Sequence, residues 1–201
     1  MATTTGIATA ALGLALALGA CQKPATNQTA GGADGVPANA AAAAPAVAAT
    51  SDAADAKAFL EGVYAHYKTS KNSTFQPFDA NAGEVLDPDT IALMQADEKA
   101  LNGDLGDIDG DWLCDCQDYD SITATVTVQS ATPTTARATA DFHDRMDTSP
   151  KPKHDTFDLV KTPAGWRIHD MGTTDQPSLR KVLQDEIARL KAGGKPTGGA
   201  D

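Results

Sequence analysis

Residues 122–142 read ITATVTVQSATPTTARATADF, and the period of this stretch decides the fold. Ile122, Ala124, Val126 and Val128 alternate with Thr123, Thr125, Thr127 and Gln129. After a break, Ala136, Ala138, Ala140 and Phe142 alternate with Thr135, Arg137, Thr139 and Asp141. Side chains of a strand point alternately to opposite faces, so each segment reads as a strand with one apolar face. Thr132-Pro133 marks the turn between them. Two more strands are expected at about His154–Lys161 and Trp166–Met171. Thr162-Pro163-Ala164-Gly165 joins them, with proline and glycine where a type I turn takes them. Consecutive strands with short links imply an antiparallel meander. Strict alternation puts Trp166, Ile168 and Asp170 on one face of the last strand. It puts Arg167, His169 and Met171 on the other.

On either side of the strands the period is 3.6. Ala56, Phe59, Leu60, Val63 and Tyr67 form one stripe of a helix from about Asp52 to Lys68. Asp87-Pro88 reads as the cap and first turn of a second helix, with Ile91, Met94 and Leu101 on its buried face and Asn102-Gly103 as its end. A last helix begins near Pro177, buries Leu179, Val182, Leu183, Ile187 and Leu190, and stops at Gly193. The resulting class is α+β: a curved antiparallel meander sheet packed on helices, with a C-terminal helix. A curved sheet of this kind leaves a cavity against its helices, which is where a ligand is expected.

The helical half and the strands are linked by Gly103–Asp120, GDLGDIDGDWLCDCQDYD. Between residues 97 and 120 the acidic positions are 97, 98, 104, 107, 109, 111, 115, 118 and 120, against the single base Lys99. The local net charge is −8 in a chain of net −11. Such a surface repels nucleic acid and anionic headgroups, and it suits cations or a basic partner. Asp107, Asp109 and Asp111 fall at positions 1, 3 and 5 of a calcium-loop frame. The frame then requires glycine and a bidentate glutamate where this chain has Trp112 and Asp118. The stretch therefore reads as a solvated acidic turn, and no metal or cofactor is assigned. Asp107, Asp109, Asp111, Asp115 and Trp112 stand as candidate binding residues.

Residues 7–20, IATAALGLALALGA, form an uncharged apolar run that is too short to span a bilayer. It ends in Leu18-Gly19-Ala20-Cys21, which resembles the bacterial lipobox. Cys21 is the expected acylation site, with the palmitate-type modification that this implies. The departure is that Met1–Gly6 carries no Lys or Arg. Gln22 after the cysteine resembles lipoproteins sorted to the outer membrane. The organisation expected is a lipoprotein signal peptide at 1–20 and a lipidated cysteine with an Ala/Pro/Gly tether at 21–50. A single α+β domain follows at 51–193, then a flexible tail at 194–201. The tether would reach on the order of 30 Å.

In an oxidising envelope Cys114 and Cys116 should not stay reduced. Two readings are open: a static bridge pinning the acidic turn, or a redox or copper- or zinc-binding pair. The bridge is preferred because no third soft ligand and no Cys-x-x-Cys frame accompany the pair. Trp166, His169 and Asp170 are further candidate binding residues. Strand pairing could bring His143 and Asp141 near them, and a His with an Asp can do acid–base work. No serine elbow or glycine-rich phosphate loop completes a catalytic set. His66 reads as a surface residue.

Gly103-Asp104, Leu105, Asp107 and Asp109 come first, then Cys116-Gln117-Asp118. Gly165-Trp166-Arg167-Ile168-His169-Asp170 and Ser178-Leu179-Arg180 follow. This order resembles the bacterial family catalogued as domain of unknown function 3828, over about residues 55–192. The resemblance implies an exported or lipid-anchored protein with a nuclear transport factor 2-like or cystatin-like cone, and little about activity. This chain departs from the family at Asp109-Gly110-Asp111-Trp112 and in its two cysteines. The function expected is a non-enzymatic, lipid-anchored envelope protein on the periplasmic side of the outer membrane, binding a protein partner or small ligand. The alternatives are an immunity-type inhibitor of a secreted toxin, whose basic surface the acidic stretch would suit, or a metal-binding or enzymatic envelope protein.

Overall fold

In the computed structural model of the protein, the residues described are 51–71, 73–108 and 110–197. The signal peptide, Cys21 and the tether lie outside them, as does Asp109. The elements run α1 (Ser51–Ala65), α2 (Ala82–Val85), α3 (Pro88–Leu101), β1 (Ile122–Ala131), β2 (Thr135–Asp144), β3 (Lys153–Thr162), β4 (Gly165–Gly172) and α4 (Leu179–Lys191). The four strands form one open antiparallel sheet in the order β1-β2-β3-β4. The class is α+β.

One face of the sheet is the core. Ile122 and Val126, the three alanines and Phe142 of β2, and Phe157 and Leu159 of β3 are all buried there. α1 covers this face with Ala56, Leu60, Val63 and Tyr64, and Tyr67 in the turn after it joins them. The small side chains of β2 leave room for rings from the helix. Tyr64 lies 5.7 Å from Phe142 and meets Phe157 edge-on at 6.4 Å, in the offset geometries that aromatic quadrupoles favour.

Three features depart from simple periodicity. The first is in β1, where Val128 pairs with Ala138 and Ser130 with Arg137, so Gln129 is an extra residue. In β4, Asp158 pairs with Asp170 and Leu159 with Ile168, so His169 is an extra residue in a bulge. A bulge shifts the alternation by one. Met171 therefore joins Trp166 and Ile168 in the core, and the expected grouping of Met171 with Arg167 and His169 is corrected. In α3, Ile91, Met94 and Leu101 are only half buried, while Thr90 and Asp97 are the buried residues. The helix buries a stripe rotated from the one its aliphatic residues mark.

The segment before α3 lies along β4. Leu86 bridges Ile168, and the Asp87 backbone N–H donates to the Ile168 carbonyl at 3.0 Å. α3 then packs against α4. At the far end of β4 the chain turns sharply into α4. A Cβ on Gly172 would stand 2.3 Å from the Pro177 carbonyl oxygen, so only glycine fits.

Candidate functional site

A cavity of about 610 Å³ opens between α2, α3, residues 103–108 and α4. Its wall is mostly apolar: Phe78, Ile91, Met94, Leu101, Ile108 and Leu183. It lies among the helices beside β4 rather than under the sheet, where the curved-sheet reading places a ligand. The tyrosine and phenylalanine rings fill the space over the sheet. Ile91, Met94 and Leu101 line the cavity and are half-buried, and Ile91 and Met94 also pack against the core.

One carboxylate belongs to this wall and is itself buried. Asp97 is 5% exposed, and its Oδ1 has no hydrogen-bond partner among the described residues. Burial, then the nearby charges of Glu186 and Asp107, push its pKa up to about 6 against an opposing pull from Arg189. Behind it the other acids are satisfied. Arg189 donates to both Asp107 oxygens, at 3.0 Å from Nη1 and 2.9 Å from Nη2, and Nη2 also reaches Glu186 Oε1 at 3.1 Å. Glu186 accepts from the Asp107 backbone N–H at 2.9 Å. Burial would raise Asp107, but bonds from Thr197 and Arg189 and the Arg189 charge outweigh it and hold the carboxyl below its ordinary value. Arg189 is thus bonded to Asp107 and Glu186, and Asp97 is left without a direct ion-pair partner among the described residues.

The other acidic residues of the link serve the fold. Asp111 accepts from the Tyr67 hydroxyl at 2.5 Å and from the Leu113 N–H at 2.9 Å, and burial raises its pKa despite those bonds. Its backbone pairs with Cys116 to close a tight turn. Cys114 and Cys116 are joined by a disulfide at the tip, with Asp115 between them at φ 46°. The Lys153 ammonium donates to the carbonyls of Cys114 (3.3 Å) and Asp115 (2.6 Å), tying the turn to β3. Trp112, Leu113 and Cys114 are in the core. The Asp115 side chain is exposed, and Asp107, Asp111, Asp115 and Asp175 edge a separate recess of about 360 Å³.

The last-strand candidates are also committed to neighbours. His169 Nδ1 lies 2.8 Å from Asp87 Oδ2, and Asp87 Oδ1 caps α3 by accepting from the Thr90 N–H at 2.9 Å. Burial would raise Asp87, but bonds to His169 and Thr90 outweigh it and keep the carboxyl below its ordinary value. Asp170 accepts from the Ser178 hydroxyl at 2.6 Å, the Arg180 N–H at 3.0 Å and the Met171 N–H at 2.9 Å, anchoring the start of α4. Trp166 is buried, with the Lys161 ammonium 5.3 Å from its ring centre. Asp141 meets His154 at 2.7 Å on the exposed face, not His169. β2 and β4 are not neighbours in the sheet, which corrects the expectation that His143 and Asp141 approach His169. His66 is exposed and stacks on Phe75 at 4.0 Å.

Asp97, Asp155 and Glu186 were not singled out from the sequence, yet the pattern marks them. Asp97 falls between Met94 and Leu101 at helical spacing. Glu186 does the same between Leu183 and Leu190, and Asp155 alternates with Phe157 and Leu159. Each is a carboxylate written into an apolar stripe.

Among the described residues no helix is long and apolar enough to cross a membrane. No family model matches the chain, and no curated protein matches it. Among solved structures, the chain is similar to a phospholipid-binding protein from Ralstonia solanacearum determined in complex with a phospholipid. The two are 15% identical with a TM-score of 0.40, over 72% of this chain and 86% of that one.

Proposed function

We propose that this chain is a non-enzymatic, lipid-anchored protein of the bacterial envelope whose folded domain binds a small apolar ligand in the cavity between α3 and α4. The observation that carries the reading is the cavity itself. About 610 Å³ is within the range of small-molecule sites, and the wall combines aliphatic side chains with one buried, unpartnered polar group. The acid-rich link is less suited to be the site, because Asp107 and Asp111 are already bonded to Arg189 and Tyr67. The anchor rests on Leu18-Gly19-Ala20-Cys21 following an apolar run.

Nile red added to the full-length chain tests the pocket. Its emission should shift to the blue and be competed away by 1-decanol. Ile91→Trp, which puts a ring into the cavity, should abolish both effects while the far-ultraviolet circular dichroism stays unchanged. A wild-type chain that binds neither probe, or an Ile91→Trp chain that binds both, refutes the reading. The anchor has its own test. Cys21→Ala should abolish labelling by a palmitate analogue in cells and leave uncleaved precursor, and labelling that persists would refute it.

A further inference from the structure

The charge on the cavity wall is one-sided. Asp97 is buried in it, and Asp79, Glu98 and Asp104 stand exposed around it. Among the described residues no lysine, arginine or histidine contributes to the wall. Arg189 cannot turn toward Asp97 without abandoning the two-oxygen contact with Asp107.

A carboxylate held among aliphatic side chains with an unbonded oxygen is costly, and removing its remaining water makes it more so. A neutral apolar ligand would strip that water and give nothing back. A fatty carboxylate would add repulsion. A ligand whose apolar body fills the cavity and whose cationic head reaches Asp97 would remove the cost instead. The head should also carry N–H donors, because Oδ1 lacks a donor as well as a direct ion-pair partner among the described residues.

Resting on the cavity reading above, we propose that the site selects apolar ligands bearing a protonated amine, with Asp97 as the buried counter-charge. Asp79, Glu98 and Asp104 surround the cavity and concentrate cations near it.

The test uses the full-length chain, isothermal titration, and four probes with one ten-carbon tail: decylammonium, decyltrimethylammonium, 1-decanol and decanoate. At about pH 8 decylammonium should bind about tenfold or more tighter than 1-decanol, the scale of one charge-assisted hydrogen bond. Decyltrimethylammonium, with the charge but no donor, should fall between them, and decanoate should bind weakest. Asp97→Asn should erase the preference and keep 1-decanol binding.

Protonation supplies a second readout. The groups facing Asp97 are Glu186 and Arg189 from α4 and Asp107 from the loop, with Glu98 on its own helix and Asp79 and Asp104 also on the cavity wall. The amine stays charged down to about pH 5, so a preference that shrinks between about pH 8 and pH 5 reports the carboxylate. That shrinkage should be absent in Asp97→Asn.

Equal affinity for decylammonium and 1-decanol, a preference that survives Asp97→Asn, or decanoate as the tightest probe would each overturn the proposal while leaving the cavity reading standing. Binding of none of the four would overturn both. A dimer that dissociates on Ile91→Trp would assign the cavity to a second copy and overturn the proposal as well.

Discussion

Asp155→Asn should make the protein more stable in alkali and flatten its pH dependence. Asp155 sits on the core face of β3, 1% exposed, with the Tyr64 hydroxyl donating to Oδ2 at 3.2 Å and Oδ1 unbonded among the described residues. Burial pushes its pKa up to about 8. The charges of Asp115 and Asp111 add to that, while the Tyr64 bond and Lys153 oppose it. The unfolded chain releases the same proton near the ordinary 3.8. Folding therefore takes up a proton between those values, and stability falls as pH rises through the window. At about 1.36 kcal/mol per unit, the interval from about pH 5 to pH 8 amounts to ~4 kcal/mol. In a domain of this size that is a shift in Tm of roughly 10 °C or more. Asparagine keeps an oxygen to accept from Tyr64 but has no proton to lose. Its cost is an amide N–H₂ without a partner, about 1 kcal/mol at low pH. The assay is urea unfolding of both chains from about pH 5 to pH 9, read as a difference so that other titrating acids cancel. Asp97, Asp111 and Glu186 contribute in the same direction, and Asp87 and Asp107 in the opposite one. Parallel stability curves, or a wild type that gains on Asp155→Asn as pH rises, would refute the reasoning.

Gly172→Ala should cost about 3 kcal/mol or more, because the new Cβ meets backbone at Pro177 that cannot yield without moving α4; the urea midpoint measures it. Asp170→Ala removes three accepted hydrogen bonds, two of them at the start of α4, and should cost about 2 kcal/mol, with faster amide exchange at Arg180 and Lys181. Millimolar calcium should raise Tm no more than sodium chloride of matched ionic strength, since Arg189 and Tyr67 already hold the Asp107 and Asp111 carboxylates. A calcium-specific shift that disappears in Asp107→Asn would contradict that.

The parts of the fold legible in the sequence are those set by neighbours along the chain. The meander followed from period-two alternation between residues 122 and 142 and from the proline- and glycine-bearing links. The α1 stripe followed from 3.6-residue spacing. The caps at Asp87 and Asn102 followed from local backbone chemistry, and Asn102 adopts φ 53° as a helix-ending asparagine can. Inside the strands the exceptions are an irregularity at Gln129 of β1 and the His169 bulge, and no local pattern announces the latter. It is imposed by how β4 meets β3, and it decides that Met171 and not Asp170 enters the core.

The site was much less legible, for a physical reason. Whether a carboxylate binds a ligand or holds the fold depends on what stands opposite it, and here the opposing group is remote in sequence. Asp107 is paired with Arg189, Asp87 is bonded to His169, and Asp155 is met by Tyr64. Composition shows the excess of acid and the spacing shows which acids interrupt apolar stripes. Only the tertiary arrangement spends Arg189 on Asp107 and leaves Asp97 Oδ1 in the cavity without a hydrogen-bond partner among the described residues. By itself the chain's order of residues determined the class of fold, because periodicity and short-range steric preference act within a few residues. Which acidic side chain is left unsatisfied was decided by packing, because electrostatic pairing acts through space.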